Sequence, residues 1–134
     1  MKKIKHRKAL QWVIGILALA PLFSGLVGLS GIYNPLFTTQ SPPDLILDSN
    51  LRFLNAMSVV VALSFYFIMP VIEKETFAFR IICCSVFFGG VGRLISFFHL
   101  GTMPIPLLFI LLVELAGPLV IMYWQQQTAA PVSE

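Results

Sequence analysis

Four long apolar runs, separated by short polar or proline-rich breaks, dominate the pattern of hydrophobic and polar positions along this chain. They cover about residues 10–30, 51–71, 77–99 and 105–124. Each run is close to the ~20 residues with which a helix crosses a hydrocarbon layer ~30 Å thick. Backbone groups in lipid must be satisfied within the segment, so each run should be a helix. The pattern therefore predicts an all-α fold of four transmembrane helices.

Composition supports this interpretation. The chain has 134 residues, of which 57% are hydrophobic and 11% charged, and its mean hydropathy is +0.88. In a soluble domain of this size, roughly a quarter of the residues are charged. We therefore expect one integral membrane domain over residues 1–134. Because most of the breaks are short, neighbouring helices should be antiparallel in a four-helix bundle.

The basic residues predict the orientation. Five of the nine lie in the first eight positions, and the break after the second run adds Lys74 and Arg80. The break at 31–50 contains no basic residue. By the positive-inside rule both termini are cytoplasmic and the 31–50 loop lies outside. The basic N-terminus next to a spanning helix indicates anionic lipid rather than nucleic acid as its partner. Pro21 follows the Ala-Leu-Ala signal-like pattern, so we expect an uncleaved first span.

Two ionisable residues lie inside the apolar runs, Arg93 in the third and Glu114 in the fourth. An unpaired charge near a helix centre costs about 2.5–3.5 kcal/mol on insertion scales. Arg93 is ~9 Å from the outer end of its run and Glu114 ~13 Å from the outer end of its own. The long arginine side chain covers that offset, so we expect the two residues to form an ion pair. Such a pair would serve either as structural glue or as part of a binding site.

Polar residues of the second run are expected at the same outer level. Asp48 and Arg52 are four apart and can pair on one helix face, and Asn55 lies one turn deeper. Ser96 and His99 are secondary candidates toward the outer end of the third run. Small residues and Arg93 share one face of that run, where they would let helices approach closely; these are Ser85, Gly89, Gly92 and Ser96.

Three short patterns carry a resemblance to a known family. They are Asn50-x-Arg52-Phe53, then Gly89-Gly90-x-Gly92-Arg93, then Glu114-x-x-x-Pro118. In this order they resemble a family of small four-span bacterial inner-membrane proteins of unknown function, over about residues 10–124. The resemblance implies a multi-pass protein of the bacterial inner membrane and, for some members, a part in envelope integrity or drug susceptibility. It carries over Arg52, Asn55, Arg93 and Glu114 as the functional positions.

The first functional hypothesis is a non-enzymatic protein that binds a lipid-like or amphipathic anion and supports the permeability barrier of the envelope. Arg52 and Arg93 would hold the head group in a polar cavity open toward the outer leaflet. Glu114 would orient Arg93, and Asn55 would donate a hydrogen bond. Two arginines against one deep carboxylate leave excess positive charge, which suits an anion with an apolar tail. Membrane lipid is thus the expected partner.

Other functions stay open. The chain could be a small proton-coupled exporter that uses Glu114. It could be an integral-membrane enzyme that uses Glu114 and His99 as acid and base. It could also be an accessory subunit of a larger membrane complex. The small-residue faces are compatible with a homo-oligomer or with a membrane-protein partner. The adjacent Cys83 and Cys84 point in different directions on a helix, so no disulfide is expected between them. No CxxC or His/Cys spacing suggests a metal site, and no cofactor is expected.

Overall fold

The computed structural model describes residues 2–34, 44–102 and 104–128. Helices are the only regular secondary structure in this part of the chain. Its long helices are α1 Lys2–Gly28, α2 Leu45–Ile68, α3 Thr76–Leu100 and α4 Ile105–Thr128, with 3-10 turns at Gly31–Tyr33 and Met69–Val71. Four segments are long and apolar enough to cross a membrane, which indicates a multi-pass membrane protein. The proline-rich part of the predicted outer loop, residues 35–43, lies outside the described residues, as do 129–134.

The helices are longer than the apolar runs predicted. α1 begins at Lys2 rather than near residue 10, and α4 continues to Thr128 rather than ending near residue 124. Hydropathy identifies only the part of a helix that lipid surrounds. Lysine, arginine and glutamine are good helix formers, so the helix can continue through such residues into the polar interface.

The start of α2 corrects one expectation. The second apolar run was expected to begin near residue 51, but α2 begins at Leu45. The Asp44 carboxylate accepts hydrogen bonds from the backbone N–H groups of Ile46 (2.8 Å) and Leu47 (3.3 Å). This is the N-cap arrangement, in which a side-chain oxygen satisfies donors of the first turn. Asp48 is thereby one turn inside the helix.

The described residues fall into two compact units, Met1–Ile14 with Ile68–Glu134 and, separately, Gly15–Phe67. In the second unit, small residues of α1 allow close packing against α2. A Cβ on Gly25 would lie 2.8 Å from the Asn55 carbonyl oxygen, and one on Gly28 would overlap the Asn55 side chain. The Tyr66 hydroxyl also donates to the Gly15 carbonyl oxygen at 2.9 Å. Helices in membranes associate through such close backbone approach.

This contact gives a first prediction. Gly28→Ala should destabilise the protein by about 1–3 kcal/mol, because the added methyl group meets the Asn55 side chain in a closely packed place. Shortening that side chain with Asn55→Ala in the same chain should recover most of the loss. The measurement is the free energy of unfolding in mixed micelles. Gly92→Ala is the matched control, since a Cβ there has nothing within 4 Å; an equal loss in both alanine variants would contradict the contact.

In the first unit α3 packs against α4. The close approach occurs at Gly90, where an added Cβ would lie 3.0 Å from the Glu114 Cβ and 3.1 Å from the Leu115 Cδ2. The face that the sequence suggested for close packing is exposed instead: a Cβ on Gly89 or Gly92 would meet nothing within 4 Å. The buried side of α3 is about a third of a turn away and carries Phe79 and Cys83.

The 69–76 turn, which joins α2 to α3 and includes the first residue of α3, is held by side chains from α1 and α4. From α1, Arg7 donates to the Pro70 carbonyl oxygen at 2.7 Å and pairs with Glu73 at 3.1 Å. From α4, the fully buried Gln125 donates to the Ile72 carbonyl oxygen at 2.8 Å. Two carbonyl groups of the turn therefore receive side-chain donors, and the buried carbonyl group of Ile72 is the one that requires such a donor.

Candidate functional site

The third and fourth spans bring their two charged residues together. Arg93 lies seven residues before the end of α3, about 10 Å along its axis, and Glu114 nine residues into α4, about 13 Å. The Arg93 Nε is 2.8 Å from the Glu114 Oε2. The predicted ion pair is therefore present. Gly90, one turn before Arg93, lets the two helices approach at this level.

The ion pair is not sealed inside the protein. The Arg93 side chain is 42% exposed and the Glu114 side chain 22% exposed. Among the described residues, Arg93 has Glu114 as its partner through Nε, and its terminal nitrogens have none. Oε2 of Glu114 is buried, and its contact with Arg93 lacks the geometry of a hydrogen bond. A guanidinium carries five N–H donors, so most of the hydrogen-bonding capacity of Arg93 is unused.

A polar strip leads from this pair along α3. Arg93, Ser96 and His99 follow one another at intervals of three residues, and all three are exposed. Residues three apart are neighbours on a helix surface. We call Arg93, Ser96 and His99 the α3 polar strip. On the opposite side of the pair, the buried Pro118 has no N–H, which leaves the Glu114 carbonyl group without its partner in the helix ladder.

The remaining predicted residues belong to the second unit and bind their own chain. The Arg52 Nε donates to the Asp48 Oδ2 at 2.7 Å, so the expected pair along α2 is present. The two terminal nitrogens of Arg52 donate to the carbonyl oxygens of Leu29 (2.7 Å) and Ser30 (3.2 Å), just after α1 ends. Arg52 thus satisfies carbonyl groups at a helix C-terminus, which a cation there also stabilises electrostatically.

The turn after α1 is built around this arginine. Asp48 also accepts a hydrogen bond from the Ile32 backbone N–H at 3.0 Å. Gly31 has a φ of 67°, in the left-handed region, and a Cβ there would collide with the Asp48 carboxylate. Asn55 donates to the Leu51 carbonyl oxygen of its own helix at 2.7 Å. The polar groups of Asp48, Arg52 and Asn55 are therefore largely occupied by the second unit itself.

The seven residues singled out from the sequence consequently divide into two sets. Arg93, Glu114, Ser96 and His99 belong to the first unit, and Asp48, Arg52 and Asn55 to the second. Gln125 was missed, because it lies beyond the predicted end of the fourth run. Its signal was the spacing of buried positions, which extends from Leu111 through Pro118 and Ile121 to Gln125 on one helix face.

Neither cysteine is bonded to another: Cys83 is buried and Cys84 exposed. Across residues 2–34, 44–102 and 104–128, no group of three or more histidine, cysteine and acidic residues is arranged to hold a metal ion.

Comparison with known proteins gives one match. A family model described as a domain of unknown function (DUF4345) covers residues 9–125. No curated protein and no solved structure matches the chain. The match covers all of the second unit, most of the first unit and every residue of the candidate site.

Proposed function

This chain belongs to the DUF4345 family, whose description states no activity, and we propose that it is a non-enzymatic membrane protein that binds a lipid-like anion at Arg93. The head group of the ligand would lie on the terminal nitrogens of the guanidinium. Glu114 would orient Arg93 through Nε, and the α3 polar strip would extend the contact. We further propose that the protein resides in a bacterial inner membrane with both termini cytoplasmic and supports the permeability barrier there.

The observation that carries this proposal is the partly exposed guanidinium within a membrane span. An arginine at this depth is costly unless its charge and its donors find partners. Glu114 supplies one contact, at 2.8 Å, yet 42% of the Arg93 side chain stays exposed. Phosphate and carboxylate groups match the planar fork of a guanidinium and are bound by two parallel hydrogen bonds. The charged group of an amphipathic anion can accept hydrogen bonds from Arg93, and its apolar part is compatible with the surrounding lipid.

The surface beside Arg93 is suitable for such a ligand. Leu119 and Val120 on α4 lie one to two turns deeper in the span than Glu114 and are more than half exposed. Apolar tails can therefore lie on the protein while the head group stays at Arg93. Ser96 can donate or accept a hydrogen bond, and His99 can add a further donor. Arg52 and Asn55, which the sequence placed in the same site, are better explained as supports of the turn after α1.

The test is lipid binding to the purified protein, measured by native mass spectrometry during titration with phosphatidylglycerol in a neutral detergent. Arg93→Gln should weaken one of the phosphatidylglycerol binding steps about 10- to 100-fold, the range for losing charge-assisted hydrogen bonds. Lys74→Gln, which removes an exposed cation outside the helices, is the matched control and should leave this site unchanged. Unaltered phosphatidylglycerol binding in Arg93→Gln would refute the proposal.

A second candidate function is proton-coupled transport through Glu114. It is favoured by the buried Oε2 of Glu114, which accepts no hydrogen bond. A proton bound to this oxygen would remove its buried negative charge. Proteoliposomes carrying a pH gradient test it: substrate-dependent proton flux that disappears in Glu114→Gln would favour transport over lipid binding alone.

A further inference from the structure

A groove runs along the first half of α3, on a part of the helix that the ion pair does not use. Its volume is about 630 Å³, and six residues line it: Phe77, Arg80, Ile81, Cys84, Ser85 and Phe88. All six residues come from α3, so the groove is a feature of one helix surface.

Most of this lining is apolar and open to the surroundings of the helix. Phe77 is 79% exposed, Phe88 69% and Ile81 52%. They lie within a candidate membrane span, Thr76–Leu100, where the medium is lipid. Two aromatic rings, one near each end, give the surface a concave shape between them. Such a shape suits a flexible hydrocarbon chain lying along the helix.

The length of the groove matches one leaflet. Phe77 and Phe88 are eleven residues apart, which corresponds to about 16 Å along a helix axis. Half of a hydrocarbon layer ~30 Å thick is ~15 Å. Phe77 is the second residue of α3, so the groove begins where the helix begins. It therefore spans the depth that one acyl chain occupies, from the interface to the bilayer midplane.

A cation stands at the interfacial end of this groove. Arg80 lies four residues after the start of α3, about 6 Å into the helix. It is exposed, and its guanidinium has no partner among the described residues. A long arginine side chain at this depth extends back to the interface. There it meets the level of the lipid phosphates, which attract basic residues near the membrane surface.

We propose that the α3 groove holds an acyl chain of an anionic phospholipid whose phosphate pairs with Arg80. The apolar lining, the one-leaflet length and the cation at the mouth each correspond to one part of that molecule. This site is separate from the one at Arg93, thirteen residues or about 20 Å further along the same helix. It does not depend on the function proposed above.

The experiment uses a fluorescent label just beyond the groove. Gly89 is exposed and a Cβ there meets nothing within 4 Å, so Gly89→Cys accepts a label without disturbing the packing. Cys84→Ser removes the other exposed thiol, and the buried Cys83 stays unlabelled. The labelled chain is placed in phosphatidylcholine nanodiscs with a small fraction of phosphatidylglycerol or phosphatidylcholine that carries a spin label on its acyl chain.

We expect spin-labelled phosphatidylglycerol to quench the fluorophore with about fivefold preference over spin-labelled phosphatidylcholine, which corresponds to one arginine near the surface. Because Arg93 lies only four residues from the label, this comparison is made in the Arg93→Gln background, where Arg80→Gln should abolish the preference. Arg93→Gln should retain it, which separates this site from the one at Arg93. Lys74→Gln, a cation outside the groove, should retain it as well.

Two outcomes would overturn the proposal. Equal quenching by both lipids in the labelled chain that retains Arg80 would show that no anionic lipid is selected. Rapid oxidation of the native chain to a dimer linked through Cys84, with no quenching by either lipid, would show that a second copy of the chain covers the groove.

Discussion

Glu114→Gln is expected to destabilise the protein by about 2 kcal/mol, whereas Glu114→Gln combined with Arg93→Gln should recover most of that loss. The single variant leaves a guanidinium within a membrane span without its counter-ion, and insertion scales give about 2.5–3.5 kcal/mol for such a charge. The 42% exposure of Arg93 reduces the cost, since an exposed side chain can turn toward the interface. The double variant removes both charges and leaves two amides able to bond to each other.

The measurement is the free energy of unfolding in mixed micelles for the parent, both single variants and the double variant, which form a double-mutant cycle. Glu75→Gln is the matched control, because Glu75 is exposed and precedes α3. A negligible interaction term, with the two single losses simply adding, would contradict an energetically significant ion pair.

The same cycle separates the architectural role of the pair from its proposed binding role. If the pair served only to hold α3 against α4, the double variant would keep both its stability and its phosphatidylglycerol binding. Under the proposed function the double variant keeps its stability and loses binding at this site. Breaking one partner of an ion pair can cost far more than replacing both with neutral residues. The comparison therefore does not depend on a variant that fails to fold.

The helical class and the four spans were predictable because lipid imposes a simple rule. Apolar length and internal hydrogen bonding leave the helix as the expected element for each run. The ends were less predictable, since Lys2 and Thr128 lie in helices whose polar ends do not differ from interfacial loops in hydropathy. The N-cap Asp44 was missed for a related reason: the apolar residues after it were assigned to the loop.

Only those residues of the candidate site that carry a charge inside an apolar run could be predicted from the sequence. Arg93 and Glu114 are conspicuous in apolar runs, and the cost of leaving them apart predicts their pairing. Arg52 was assigned to the same site by its depth. Its partners, the carbonyl oxygens of Leu29 and Ser30, are backbone groups that side-chain patterns do not reveal. The exposed face of α3 at Gly89 and Gly92 was also predicted incorrectly as a packing face. The spacing of small residues shows that they share a helix face, but it does not show which other element, if any, packs against that face.

Gln125→Leu is the second substitution from which we expect a large effect, a loss of about 2–4 kcal/mol in the free energy of unfolding. The leucine fills a similar volume but donates to neither the Ile72 carbonyl oxygen nor the Thr76 Oγ1, now 2.8 and 2.9 Å from the Gln125 Nε2. Each lost hydrogen bond contributes about 0.5–1.5 kcal/mol, and a buried acceptor left without a donor costs about 1–3 kcal/mol more.

Two features decide the size of this effect. Both Gln125 and Ile72 are fully buried, so neither water nor lipid head groups can replace the lost donor. In the opposite direction, Oε1 of Gln125 is a buried oxygen that already lacks a partner. The leucine removes this unsatisfied oxygen, which offsets part of the loss in the free energy of unfolding. Gln127→Leu is the matched control, as this exposed glutamine lies two residues further along α4, and it should change the free energy by less than about 0.5 kcal/mol. Equal results for the two glutamines would mean that the 69–76 turn is held by Arg7 and Gln11 of α1 without help from α4.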